Sequence, residues 1–143
     1  MQNNESDFFR KLLPVATFVV VGHFAVVIWH LLLLLKVQPT TPWFAAALLV
    51  VANLLPVAGL VAFAKGRYYL AAGLIVVPLS VALVIGGYTH FLTAGSDNVF
   101  WMPPGGLRLP FQVSAVLLAV LELLGCFVGL RMLAASRAKY RVS

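Results

Sequence analysis

The chain has 143 residues, a net charge of +6, and a composition that is 62% hydrophobic and only 10% charged. One domain fits that length, but soluble domains carry about 25% charged residues, so this chain has too few to cover a water-facing surface. Its basic residues sit at the ends of apolar runs and match no nucleic-acid module, which excludes nucleic acid as a partner.

Four apolar runs reach the roughly 20 residues that a helix needs to cross a bilayer. They cover approximately residues 12–35, 43–64, 69–92 and 109–130. Helices are expected because backbone groups in lipid must pair within their own segment. Strand-like alternation of the membrane β-barrel kind is absent. The sequence therefore predicts an all-α membrane protein, a four-transmembrane-helix antiparallel bundle forming a single membrane domain.

The first run is much longer than the apolar core of a signal peptide, about 7–15 residues. Lys36 and the turn residues Pro39, Thr40, Thr41 and Pro42 follow it. The second run holds Ala45, Ala52, Asn53, Pro56 and Gly59 on a small-residue stripe. In the third, Gly73, Ser80 and Gly87 recur at seven-residue spacing, and Pro78 predicts a kink. An outer loop over 93–108 carries turn residues around Phe100, Trp101 and Met102, and its expected place is flat on the membrane surface. The fourth run sets Ala115, Ala119, Glu122, Cys126 and Gly129 on one face, with Gly125 beside them. Small residues let membrane helices approach, so Gly125, Gly129, Gly73 and Gly87 are the expected packing positions.

Eight of the ten Lys and Arg residues fall on one side: Arg10, Lys11, Lys65, Arg67, Arg131, Arg137, Lys139 and Arg141. Lys36 and Arg108 fall on the other. The positive-inside rule makes the first side cytoplasmic. Both termini are then inside, and the expected location is a bacterial cytoplasmic (inner) membrane.

Each run places one polar residue near its middle: His23, Asn53, Ser80 and Glu122. An ionised acid at that depth costs a few kcal/mol, so Glu122 is expected to face inward. His23 and Asn53 are its natural partners, either through a neutral acid donating a hydrogen bond or through an ion pair. His30 and His90 lie in the outer half on different helices, where two histidines are candidate axial ligands of haem b or of a metal. Two such ligands are too few for a closed structural metal site. The single cysteine, Cys126, belongs to no metal-binding spacing.

No phosphate loop, nucleophile elbow or zinc-hydrolase motif is present. The leading expectation is thus a non-catalytic accessory or scaffold subunit, partnered by the bilayer and by other membrane subunits or a second copy. A proton-coupled carrier using Glu122 and His23 is the first alternative. A b-type electron-transfer protein using His30 and His90 is the second.

Overall fold

The computed structural model describes residues 2–37, 43, 47, 50–94 and 98–140. Every regular element among them is helical. Helix α1 covers Gln2–Val37, α2 Leu55–Ala64, α3 Tyr68–Gly87 and α4 Arg108–Tyr140. Short π-helical stretches precede α2 at Val50–Leu54 and extend α3 at Tyr88–Leu92. Three helices are long and apolar enough to cross a membrane, over Asp7–Lys36, Tyr68–Leu92 and Arg108–Arg137, and the apolar helix Val50–Ala64 is shorter. Trp43 and Ala47 are helical too, while the rest of the second run before Val50 lies outside the described residues. So do the turn expected over 39–42 and residues 95–97 of the outer loop.

Residue pairs fix how the helices run. His23 meets Glu122 and His30 meets Ser114, so α1 and α4 are antiparallel. Ser80 meets Cys126, while a Cβ on Gly129 would lie 2.8 Å from Val76 Cβ, so α3 and α4 are antiparallel as well. Helices α2 and α3 form a hairpin closed at Gly66, whose φ is 72°. There Gly66 N–H donates to Phe63 O and Arg67 N–H to Ala62 O, both at 2.9 Å. This is a Schellman ending, and it requires a left-handed residue where only glycine is unstrained. Gly59 lets the hairpin close tightly, since a Cβ there would come within 2.8 Å of Ile75 Cγ1.

Two apolar clusters hold the ends of the molecule. One gathers Phe9, Phe63, Ile75, Leu79 and Met132. In it Phe9 and Tyr68 stack with ring centroids 3.9 Å apart. The other gathers Leu33, Val99, Met102, Phe111 and Ala115. Between the clusters lie the buried side chains of His23 and Glu122. Around them the outward faces of the helices are bulky and apolar, as at Phe18, Val84 and Phe127. Such faces suit hydrocarbon, which makes a helical integral membrane protein the reading of the fold.

One expectation about packing needs correction. Gly125 lies against Leu79, and Gly129 against Val76, but among the described residues a Cβ on Gly73 or Gly87 would meet nothing within 4 Å. Of the seven-residue stripe on α3, only Ser80 touches α4 among the described residues, through Cys126. The described part of the outer loop packs onto the end of the bundle. Val99 and Met102 turn inward and are buried, because Asn98 braces the turn from inside. Its amide donates to Thr93 O at 2.7 Å and its side-chain oxygen accepts from Phe100 N–H at 2.9 Å. Phe100 and Trp101 project outward.

Candidate functional site

Helices α1 and α4 bring His23 and Glu122 together deep in the bundle. His23 Nε2 lies 3.3 Å from Glu122 Oε1, and the two residues are 1% and 6% exposed. Sequence reasoning paired Glu122 with His23 or Asn53, and the structure places it against His23.

Asn53 is the exception among the buried polar groups. It is 1% exposed, yet neither its oxygen nor its nitrogen has a hydrogen-bond partner among the described residues. Its backbone lies in the π-helical stretch before α2. Pro56 explains that stretch: a proline ring crowds the carbonyl four residues earlier and supplies no N–H to it. Widening the turn at Ala52–Asn53 relieves the conflict. Ser80 also stands apart from the pair, with its hydroxyl 3.2 Å from Cys126 Sγ. The four mid-membrane polar residues are thus not one cluster.

A second polar centre forms about two helical turns from the first. Ser114 and Glu122 are eight residues apart on α4, about 12 Å along a helix. His30 Nδ1 lies 2.8 Å from Ser114 Oγ, and His30 Nε2 lies 3.2 Å from His90 Nε2. Ser114 Oγ donates its proton to Phe111 O at 2.8 Å. A hydroxyl has one proton to give, so it must accept from His30 Nδ1–H. His30 Nε2 is then an acceptor, and His90 Nε2–H donates to it. Sequence reasoning named His30 and His90 but missed Ser114, Phe111 and Asn98. Ser114 lies near the start of its run, away from the central positions that singled out Ser80.

The loop closes over this centre. Val99 N–H donates to His90 O at 2.9 Å, and Gln112 Nε2 donates to Val99 O at 2.6 Å. His90 sits in the π-helical extension of α3, where Thr93 N–H reaches back to Tyr88 O at 2.9 Å. Both π-helical stretches thus carry one of the intramembrane polar residues, a placement common at functional sites.

A cavity of ≈ 140 Å³ joins the two centres. Glu122 lines it at one end and His30 with His90 at the other, and Ala52, Ala82 and Ala119 form much of the wall between. Glu122 meets His23 through Oε1 and is also one of the residues that line this space.

The histidine pair does not fit axial haem ligation as it stands. Imidazole nitrogens lie about 2 Å from a metal they bind, which sets opposed ligands about 4 Å apart. Here the two nitrogens are hydrogen-bonded at 3.2 Å. Phe111 packs 4.7 Å from the His30 ring and 5.7 Å from the His90 ring, where a macrocycle would have to lie. Among the described residues, no three His, Cys, Asp or Glu side chains gather in a way that could hold a metal ion. No family model, curated protein or solved structure matches the chain.

Proposed function

We propose that this chain is a four-span protein of a bacterial cytoplasmic membrane, with both termini inside, and that it works as a proton-coupled carrier of a small molecule. One observation carries the reading: Glu122 touches the buried His23 on one side and borders a cavity on the other. An intramembrane acid is costly, and where it persists it commonly serves a proton or substrate path. A group that holds a proton and also faces a binding space can exchange one for the other. The basic residues supply the orientation, eight inside and two outside.

The test uses sealed vesicles containing the purified chain and a pH-sensitive dye. Small organic cations, anions and neutral compounds are added in turn across an imposed pH gradient. A carrier moves protons with one of these classes, and Glu122→Gln removes that response while the protein stays folded.

A second reading is the accessory or scaffold subunit. It is favoured by polar contacts that close within the bundle and tie helices together, as His30 does with Ser114 and His90. Its partners would be other membrane subunits or a second copy of the chain. Wild-type vesicles silent toward every class of compound would remove the carrier. A fixed partner retained by both the wild type and Glu122→Gln in mild detergent would then establish the subunit.

A further inference from the structure

We propose that the cavity between Glu122 and the His30–His90 pair binds a small lipophilic amine, of about one aromatic ring, with its ammonium group on Glu122. This rests on the carrier reading and names the substrate class of that site.

Size is the first argument. Apolar cavities of about 150 Å³ stay dry and accept a molecule such as benzene. The cavity here has ≈ 140 Å³. Apart from Glu122, the two histidines and Thr89, its lining side chains are aliphatic or aromatic, or are absent at glycine. The Thr89 hydroxyl is committed to its own helix, with Ile85 O at 3.0 Å and Gly86 O at 3.3 Å. The wall between the two ends therefore asks for an apolar body.

Charge is the second argument. Among the described residues Glu122 makes one side-chain hydrogen bond, through Oε1 to His23. Its other oxygen remains for a ligand in the space that Glu122 lines. Ammonium–carboxylate bonds are among the stronger hydrogen bonds, whereas an anionic ligand would face a like charge in a low-dielectric site. The opposite end offers no competing anion site on His30, since Ser114 and His90 use both of its nitrogens. Charge balance also closes. Beside a neutral His23, a Glu122 carboxylate carries one negative charge, and an entering ammonium balances it.

Fluorine NMR on the full chain in nanodiscs tests the proposal, with protein-free nanodiscs as the blank. The probes are para-fluorobenzylamine, para-fluorotoluene and para-fluorobenzoate. The amine should bind saturably above the blank, more tightly than the toluene, and the benzoate should not bind. Glu122→Gln should weaken the amine by about tenfold or more, the scale of a hydrogen bond to a charged group. Ala119→Leu should abolish binding by filling the space while leaving Glu122 in place. Both variants are first checked for wild-type helicity and elution. If one loses its fold, the ranking of the three probes on the wild type still decides. The proposal is overturned if the amine gives no saturable signal, if benzoate binds as well as the amine, or if a folded Glu122→Gln binds as tightly as the wild type. Amine binding without proton movement in vesicles would remove the carrier reading and keep the site. Proton movement driven only by another class of compound would keep the carrier and remove the amine.

Discussion

His30 has two ring nitrogens, and its neighbours give each a different role. Ser114 can only accept from Nδ1, so the ring carries its proton there, and His90 must donate to Nε2. Nitrogen NMR on histidine-labelled protein should show the Nδ1–H tautomer at His30, and finding Nε2–H there would refute the assigned direction of the chain. Ser114→Ala should leave that N–H unpaired and lower stability by roughly 1 kcal/mol, given that interhelical hydrogen bonds in membranes average about 0.6 and reach about 1.7. A fall in melting temperature in detergent, with helicity retained, is the expected reading. Asn53 presents the opposite case. A buried amide without a partner costs about 1–3 kcal/mol, so Asn53→Leu, which keeps the volume and drops the polar atoms, should raise the melting temperature. A clear loss of stability in that variant would mean that the amide has a partner after all. The sequence exposed Asn53, His23 and Glu122 because polar residues stand out against an apolar run. It could not say which of them touch, because contact depends on the rotation of each helix. The π-helical turn at Asn53 alters that rotation within a single span.

At the scale of the helix, glycine spacing misled where side-chain geometry did not. Gly125 and Gly129 on α4 face Leu79 and Val76 of α3. They differ in what a methyl group would strike. At Gly129 it would meet Val76 backbone atoms at 3.2 Å, which cannot turn aside, whereas at Gly125 it would meet the end of the Leu79 side chain. Gly129→Ala should therefore cost more than Gly125→Ala, within the roughly 1–3 kcal/mol typical of overpacking. Gly73→Ala and Gly87→Ala should be neutral or slightly stabilising, since open space surrounds both positions and alanine is the better helix former. Thermal melts of the four variants in one detergent give the order directly. Equal losses at all four positions would contradict the packing register. Gly73, Ser80 and Gly87 recur regularly, yet among the described residues only Ser80 meets α4. Four apolar runs were likewise legible from composition, but the inward fold of the outer loop was not. That fold depends on Asn98 pairing with backbone groups of Thr93 and Phe100, a local event that hydropathy does not register.

At the scale of the whole molecule, orientation determines which end of the cavity faces which compartment. The histidine pair and the loop over it lie at the end of the bundle that holds Lys36 and Arg108, and Arg10, Lys11, Lys65, Arg67, Arg131 and Arg137 lie toward the opposite end. With that basic-rich end in the cytoplasm, the loop between α3 and α4 stands outside and Glu122 is reached from outside past His30 and His90. Single cysteines at Ser96 and Ser143, in a background where Cys126 is replaced, test this with a membrane-impermeant thiol reagent on intact cells. Ser96→Cys should react from outside, and Ser143→Cys only after the membrane is opened. The control is quantitative. Moving charges from one side to the other should shift the labelling pattern, because the rule depends on Lys and Arg near the span ends. Replacing Arg10, Lys11, Lys65 and Arg67 with glutamine removes half of the inside charges, so a mixed population should appear. Labelling of Ser143→Cys on intact cells in the unaltered background would reverse the orientation. The binding cavity would then open past the histidines toward the cytoplasm, and proton and substrate would enter from the opposite compartment.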